Sequence, residues 1–293
     1  MRLLITGWQG QVAQSLVEVA AGRKDVEALA IGRPALDLVS LPTVLRALSD
    51  HRPDVVINTA AYTAVDKAES EPDAAFALNR DGAARLAEAT AARNLPLIHL
   101  STDYVFDGTK TSPYVETDPT NPLGVYGRSK LEGELAVIAA NPKHIIMRTA
   151  WVVSPFGANF VKTMLRVGKE RGAVRVVNDQ IGSPTYAPDL ATAILDIAAQ
   201  LSNTTPWGIY NAAGTGEATW HGVAATVFER ATELGQSPVS LTPITTADYP
   251  TPAKRPGNSR LYCGKLKAAF GVELPAWEPS VRTCVERLLA SAG

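Results

Sequence analysis

Through its first half the chain alternates short, continuously apolar runs with longer stretches whose apolar positions recur at helical spacing. "RLLIT" (2–6) leads into a glycine turn, and "QVAQSLVEVAAG" (11–22) has a helical pattern that Gly22 can stop. "VEALAIG" (26–32), "PDVVINTAA" (53–61), "PLIHLST" (96–102) and "KHIIMRTAWVV" (143–153) read as the next four strands. Between them lie the amphipathic "LPTVLRALSDHR" (41–52) and the Ala-rich stretch 72–94, read as one long helix with Pro72 near its start. A further helix, "GRSKLEGELAVIAA" (127–140), follows a Pro/Asp/Thr/Gly-rich loop over 107–122. Continuous apolar strands separated by helices predict a parallel sheet covered on both faces. Beyond residue 150 the pattern loosens. A helix over 159–172 precedes a strand, loop and helix over 173–200, a short strand "GIYNAAG" (208–214), and a Pro-rich region around "TADYPTPAKRPGNSRL" (246–261).

Composition narrows the class. The 293 residues are 46% hydrophobic and 19% charged, enough for a sizeable core and unlike a disordered chain. A net charge of −1 excludes the basic footprint of a nucleic-acid binder. No apolar run approaches a membrane span and the first residues lack a signal peptide's apolar region, so no membrane partner and a cytoplasmic location are expected. Cys263 and Cys284 make neither a disulfide framework nor a metal cluster, and His51, His99, His144 and His221 lack metal-ligand spacing.

The turn after the first strand reads "TGWQGQVA". Gly7 permits a tight turn, Gly10 lets backbone approach a pyrophosphate, and Ala13 still allows close helix–strand packing. The following helix N-terminus favours phosphate. The expected fold is therefore α/β, a Rossmann-type doubly wound parallel sheet with a smaller C-terminal substrate-binding domain. Residues 1–150 form the expected dinucleotide-binding domain, with the chain returning to it near 174–182 and 206–213, and 151–293 are mainly substrate-binding. The second strand ends in Gly32-Arg33 where a ribose-binding acid would mark NAD. The Arg33 guanidinium suits the 2′-phosphate of NADPH, so NADPH is the expected cofactor and NADH the alternative. Asp37 and Leu38 can flank the adenine.

Tyr126 and Lys130 stand four residues apart in "VYGRSK", on one face of a helix. An ammonium beside a phenol lowers its pKa, so Tyr126 is expected to donate a proton near neutral pH. Thr102 can hydrogen-bond the same substrate oxygen as charge develops on it, and Ser101 is its neighbouring alternative, since strand alternation points one of them inward. Together with a nicotinamide hydride donor these groups form a carbonyl-reduction site.

These motifs, with "NTAAYTAVDKAE" (58–69), "STDYVFDG" (101–108), "YGRSKLEGE" (126–134), "RTAWVV" (148–153), "NDQIGSPTYAPDLA" (178–191), "TWHGVA" (219–224) and "YPTPAKRPGNSRL" (249–261), resemble the extended short-chain dehydrogenase/reductases, and more narrowly the dTDP-4-dehydrorhamnose reductases. The resemblance implies reduction of the 4-keto group of dTDP-4-dehydro-L-rhamnose by NAD(P)H in dTDP-rhamnose biosynthesis, with Thr102, Tyr126 and Lys130 catalytic. It implies Gly10, Gln11 and Val12 at the pyrophosphate, Asp37 and Leu38 at the adenosine, and Ala61, Tyr62 and Thr63 along the cofactor. Asp103 and Trp151 would meet the sugar, the indole face stacking on it, and Arg255 the diphosphate. Some members link a dimer through metal by an early glutamate; Ser15 stands at that place, and a hydroxyl is a poor substitute for that ligand. A magnesium-bridged dimer is therefore not expected, leaving a monomer or weak homodimer. The alternatives are another nucleotide-sugar reductase or epimerase, and a non-catalytic NADP-binding regulatory subunit.

Overall fold

A computed structural model describes residues 1–291; residues 292 and 293 of the expected C-terminal domain lie outside it. Strands β1 (Arg2–Thr6), β2 (Glu27–Ile31), β3 (Val55–Asn58), β4 (Leu97–Thr102) and β5 (His144–Thr149) form where the apolar runs predict them. Further strands follow: β6 (Val152–Val153), β7 (Ala173–Val177), β8 (Ile181–Gly182), β9 (Thr185–Tyr186), β10 (Gly208–Asn211), β11 (Ala218–Thr219), β12 (Ser240–Ile244) and β13 (Asn258–Ser259). The central sheet has six strands in the order β10-β5-β4-β3-β1-β2, all parallel. The chain leaves β1 first toward β2 and then toward β3, so the switch point, where such sheets bind ligands, lies between β1 and β3.

Strand alternation divides two cores. Leu3, Ile5, Ile57 and Ile98 point to one face, against Leu16 of α1 (Gln11–Ala21) and, later in the chain, Leu190 and Ile194 from residues 187–200. Leu4, Val56, Leu97 and Ile146 point to the other face, against α2 (Leu41–His51) and the helices that follow β3. Burying both faces is why the strands read as unbroken apolar runs rather than as alternation.

The Ala-rich stretch departs from a single regular helix. After α3 (Val65–Ala68) it runs as α4 (Pro72–Phe76), a π-helical turn (Ala77–Gly82) and α5 (Ala83–Ala91). The wide turn brings the Asn79 carbonyl against Gly133 of α6 (Val125–Ala140), where a Cβ would stand 2.1 Å from that oxygen.

The strand expected near 206–213 is β10, hydrogen-bonded to β5. The return expected near 174–182 is corrected. β7 pairs with β12, and β8 lies between β11 and β13, all outside the central sheet. An edge already taken by β10 beyond β5 leaves β7 to find its partner in the C-terminal region. That lobe is packed by α7 (Phe160–Arg171), α9 (Trp220–Glu233) and α11 (Trp277–Ala290) around Val161, Val223, Val227, Val281 and Val285. The helix at Ala187–Gln200, α8, instead packs with α1 on the main sheet, and α10 (Gly264–Phe270) adds Leu266 and Phe270 to the same core.

Candidate active site

The glycine loop leaves β1 with Gly7 at φ 80, a left-handed conformation that favours glycine. Its N–H donates to the Ile31 carbonyl (2.7 Å). Gly10 caps α1 without a side-chain bond, and no acidic residue stands in the first turn. A Cβ at Gly10 would meet nothing within 4 Å. An uncapped helix N-terminus opening onto empty space fits a pyrophosphate. Val12 buries its side chain in the core, so only its backbone can serve that anion. The Gln11 side chain instead ties the loop to the C-terminal half: Nε2 donates to Val152 (3.4 Å) and Oε1 accepts from Ser154 Oγ (2.9 Å).

At the end of β2, the Trp8 indole lies on Gly32, where a Cβ would stand 2.3 Å from the ring. Arg33 is exposed beside it. Leu38 is buried against Gly82, and Asp37 Oδ1 accepts from the Val39 N–H (3.0 Å). Tyr62 is pinned by a residue with no sequence motif. Asn79 accepts from its N–H (2.7 Å) and donates to its carbonyl (3.1 Å), and also donates to Ser129 Oγ (2.9 Å). Ala61 and Thr63 flank that pinned residue, Thr63 on the surface.

The "AYTAVDKAE" motif shapes the helix of Tyr126 and Lys130 as well. The N-cap of α6, Gly124, offers no side chain, and Glu69 Oε1 accepts the Val125 N–H instead (2.8 Å). A carboxylate at a helix N-terminus is favoured by the orphan N–H groups and the dipole. This seats Tyr126 and Lys130 above the end of β4.

There the structure brings Thr102 and Tyr126 together, with Asp103 and Tyr104 around them. Thr102 Oγ1 donates to Asp103 Oδ1 (3.0 Å) and accepts from the Tyr104 N–H (3.2 Å). Tyr104 and Tyr126 meet edge to face, centroids 5.5 Å apart. Ser101 is buried with its hydroxyl unpartnered among the described residues and is not part of this group. Burial holds the Tyr126 phenol well above its ordinary pKa, with the Thr102 hydroxyl opposing. The expectation that Lys130 lowers that pKa is corrected. Lys130 Nζ donates to the Leu100 carbonyl (2.6 Å) and faces His99 Nε2 (3.4 Å). Desolvation lowers Lys130 itself to about 8, Glu134 pulling the other way. Loss of hydration is the largest influence on both groups.

Asp103 is buried, and that raises its carboxyl to about 6 despite the hydroxyls of Ser259 and Thr102; its Oδ2 has no partner among the described residues. Arg255 donates to Asp66 Oδ2 (2.7 Å), while its Nη1 is buried without a partner among the described residues. The loop carrying Arg255 is fixed to the one after β4: a Cβ on Gly108 would stand 2.6 Å from Pro256, and Asn258 Nδ2 donates to the Lys110 carbonyl (2.7 Å). Trp151 takes a left-handed backbone (φ 47) and stacks on Trp220, centroids 3.6 Å apart, with Gly182 against its six-membered ring. One face of its indole is thus taken by Trp220. Ser15 is fully buried on α1, donating to the Gln11 carbonyl (2.8 Å).

The residues that sequence reading missed are Asn58, Asn79 and His99. Their only signal is a polar side chain inside an otherwise apolar strand or helix face.

Known proteins share this sequence and fold. The family model described as the RmlD substrate binding domain matches residues 1–290. A dTDP-4-dehydrorhamnose reductase of Sinorhizobium fredii is 51% identical over 99% of this chain and 98% of its own. The crystal structure of a dTDP-4-dehydrorhamnose reductase from Clostridium acetobutylicum superposes with a TM-score of 0.92 at 37% identity, covering 99% of this chain and 100% of that one. The enzyme of the same name from Bacillus anthracis, in complex with NADP, gives a TM-score of 0.90 at 34% identity over 99% of both chains. With a family model spanning nearly its whole length and relatives of this similarity, the chain belongs to the RmlD family, that of the dTDP-4-dehydrorhamnose reductases.

Proposed function

We propose that this protein reduces the 4-keto group of dTDP-4-dehydro-L-rhamnose to give dTDP-L-rhamnose, using NADPH. The observation that carries the reading is the meeting of the Thr102 hydroxyl and Tyr126 phenol at the carboxyl end of β4, one helix turn from Lys130. The bound dinucleotide supplies the hydride. Gly7 and Gly10 leave room for its pyrophosphate at the α1 N-terminus, and Arg33 pairs with its 2′-phosphate. Tyr126, held protonated by burial, keeps a proton on its phenol oxygen and gives it to the substrate oxygen. Thr102 steadies the charge developing on that oxygen. Lys130, a buried cation one helix turn from Tyr126, bonds the ribose hydroxyls of the cofactor.

Asp103, Trp151 and Arg255 stand around the substrate end. Asp103 offers a buried carboxyl with an unpartnered oxygen, and Arg255 an unpartnered nitrogen for the diphosphate. Trp151, braced by Trp220 on one face, is placed to meet the sugar. We assign the reaction to the cytoplasm, since Cys263 and Cys284 stand as free thiols, the form that a reducing compartment keeps. Among the described residues no helix is long and apolar enough to cross a membrane. The test is NADPH oxidation with dTDP-4-dehydro-L-rhamnose, the product identified by NMR. Stoichiometric oxidation with the 4-hydroxy sugar as product is expected. Sugar isomerisation without net NADPH consumption would overturn the reading in favour of an epimerase.

A further inference from the structure

A buried line of polar side chains runs beneath the carboxyl ends of the sheet, from the glycine loop to Lys130. Thr6 Oγ1, at the end of β1, lies 2.6 Å from Asn58 Oδ1 at the end of β3. Asn58 Nδ2 meets His99 Nδ1 at 2.9 Å, and His99 Nε2 faces Lys130 Nζ at 3.4 Å. Thr6, Asn58, His99 and Lys130 are all at most 3% exposed. At the other end Thr6 Oγ1 accepts from the Ala60 N–H (3.3 Å), the residue against which Gly7 packs. Four residues far apart in sequence thus join the floor of the cofactor crevice to the catalytic lysine.

We propose that His99 is a positioning residue for the reduction, holding Lys130 Nζ in place and coupling its protonation to the orientation of the Asn58 amide under the glycine loop. The proposal rests on the reading that Lys130 serves the reduction. A neutral imidazole has one donor and one acceptor nitrogen, so the line has two self-consistent polarities. When Lys130 is an ammonium, it donates to Nε2; Nδ1–H donates to Asn58 Oδ1, and the amide NH₂ donates to Thr6 Oγ1. When Lys130 is neutral, its lone pair accepts from Nε2–H; Nδ1 accepts from Asn58 Nδ2, and Oδ1 accepts from the Thr6 hydroxyl. The two states differ by one proton, which leaves Nζ for solvent. The imidazole keeps its proton count and changes tautomer, and the amide turns over. The same heavy-atom positions serve both, because exchanging amide O and N leaves them in place.

The surroundings keep His99 neutral and so able to play either part. Burial pushes its pKa well below the usual histidine value, and Lys130 of α6 and His144 of β5 add to that. The acid facing Lys130 is Glu134 of α6, itself held by Arg148 of β5 through Nε (2.9 Å) and Nη2 (2.6 Å). Glu134 is therefore committed to Arg148, and His99 is the side chain left to orient Nζ.

The test uses the full chain labelled with ¹⁵N-histidine, without substrate. The His99 ring nitrogens are followed from well below to well above the pH of about 8 at which Lys130 titrates. Expected is an Nδ1-protonated ring at low pH and an Nε2-protonated ring at high pH, crossing as Lys130 titrates and not crossing in Lys130→Met. A single tautomer throughout, or a crossing that persists in Lys130→Met, overturns the proposal. In turnover, His99→Leu removes the side-chain acceptor for the ammonium and leaves only the Leu100 carbonyl among the acceptors described, so the alkaline limb of the pH–rate profile moves down and turnover falls about tenfold or more, the loss of one charge-assisted hydrogen bond. His99→Gln, which keeps an acceptor, restores the limb; identical limbs in both variants refute the positioning role. If the wild type failed to reduce the sugar nucleotide, the proposed function would fall while the tautomer readout still decided this point.

Discussion

Gly127 stands so close to Tyr104 that a side chain there would place its Cβ 2.2 Å from the Tyr104 carbonyl oxygen. This contact seats the helix carrying Tyr126 and Lys130 on the loop that carries Thr102 and Asp103. The obstacle is backbone on a loop already held by Thr102, so it cannot swing aside. Gly127→Ala should cost roughly 1–3 kcal/mol of stability through overpacking. It should also lower turnover by displacing Tyr126 from Thr102. Urea unfolding and steady-state rates check both; unchanged stability would show that the loop yields freely.

Tyr126→Phe removes the phenol oxygen proposed to donate the proton and keeps the ring that packs on Tyr104. Turnover should fall by at least ~10² while NADPH affinity stays near wild type. Near-normal turnover in steady-state assays would take the proton-donor role from Tyr126.

The pH dependence should report Lys130 rather than Tyr126. Burial lowers the Lys130 pKa to about 8 and raises that of the phenol. The cation is therefore present below about pH 8 and lost above it, and kcat/KM should decline on the alkaline side of that value. Lys130→Met should weaken NADPH binding, lower turnover and abolish that limb. A limb unchanged in the variant would assign it to another group.

Arg33 is exposed at the end of β2 beside the Trp8–Gly32 contact, free to meet a phosphate from solvent. Arg33→Ala should weaken NADPH by roughly 1.5–3 kcal/mol, the loss of a charge-assisted contact, and NADH much less. Equal losses for both cofactors by titration would refute the phosphate role.

Asp103 should weaken the fold at neutral pH. Its folded pKa is raised to about 6 from 3.8, so the unfolded chain releases the proton first as pH rises. The penalty is absent below the unfolded value, grows between the two, and is complete above about pH 6, where it reaches about 3 kcal/mol in order of magnitude. Asp103→Asn keeps an acceptor for Thr102 and removes the charge. Its melting temperature should exceed wild type at neutral pH and match it at about pH 3, below the unfolded value. A stabilisation independent of pH would show that ionisation is not the cause.

Local chemistry along the chain carried the sheet and the cofactor loop. Strands buried on both faces need unbroken apolar runs, and a phosphate-binding turn needs glycine where backbone must bend or come close, so "RLLIT" and "TGWQGQ" are legible without coordinates. The i, i+4 spacing of Tyr126 and Lys130 is legible for the same reason: helical phase is a property of neighbours in sequence. The proton equilibria of that pair are not, because a pKa depends on how much water the rest of the fold removes, and here desolvation is the largest influence on both groups. The two-residue strands β8 and β13 carry too few side chains to show a period, so their pairing was decided by the C-terminal lobe closing around them. The Asn79 clamp on Tyr62 and the line Thr6–Asn58–His99–Lys130 join residues that only the strand order β4-β3-β1 and the docking of α6 bring together. Hydrogen bonds between distant parts of a chain leave no periodic trace, and tertiary packing alone determines which buried polar groups find one another.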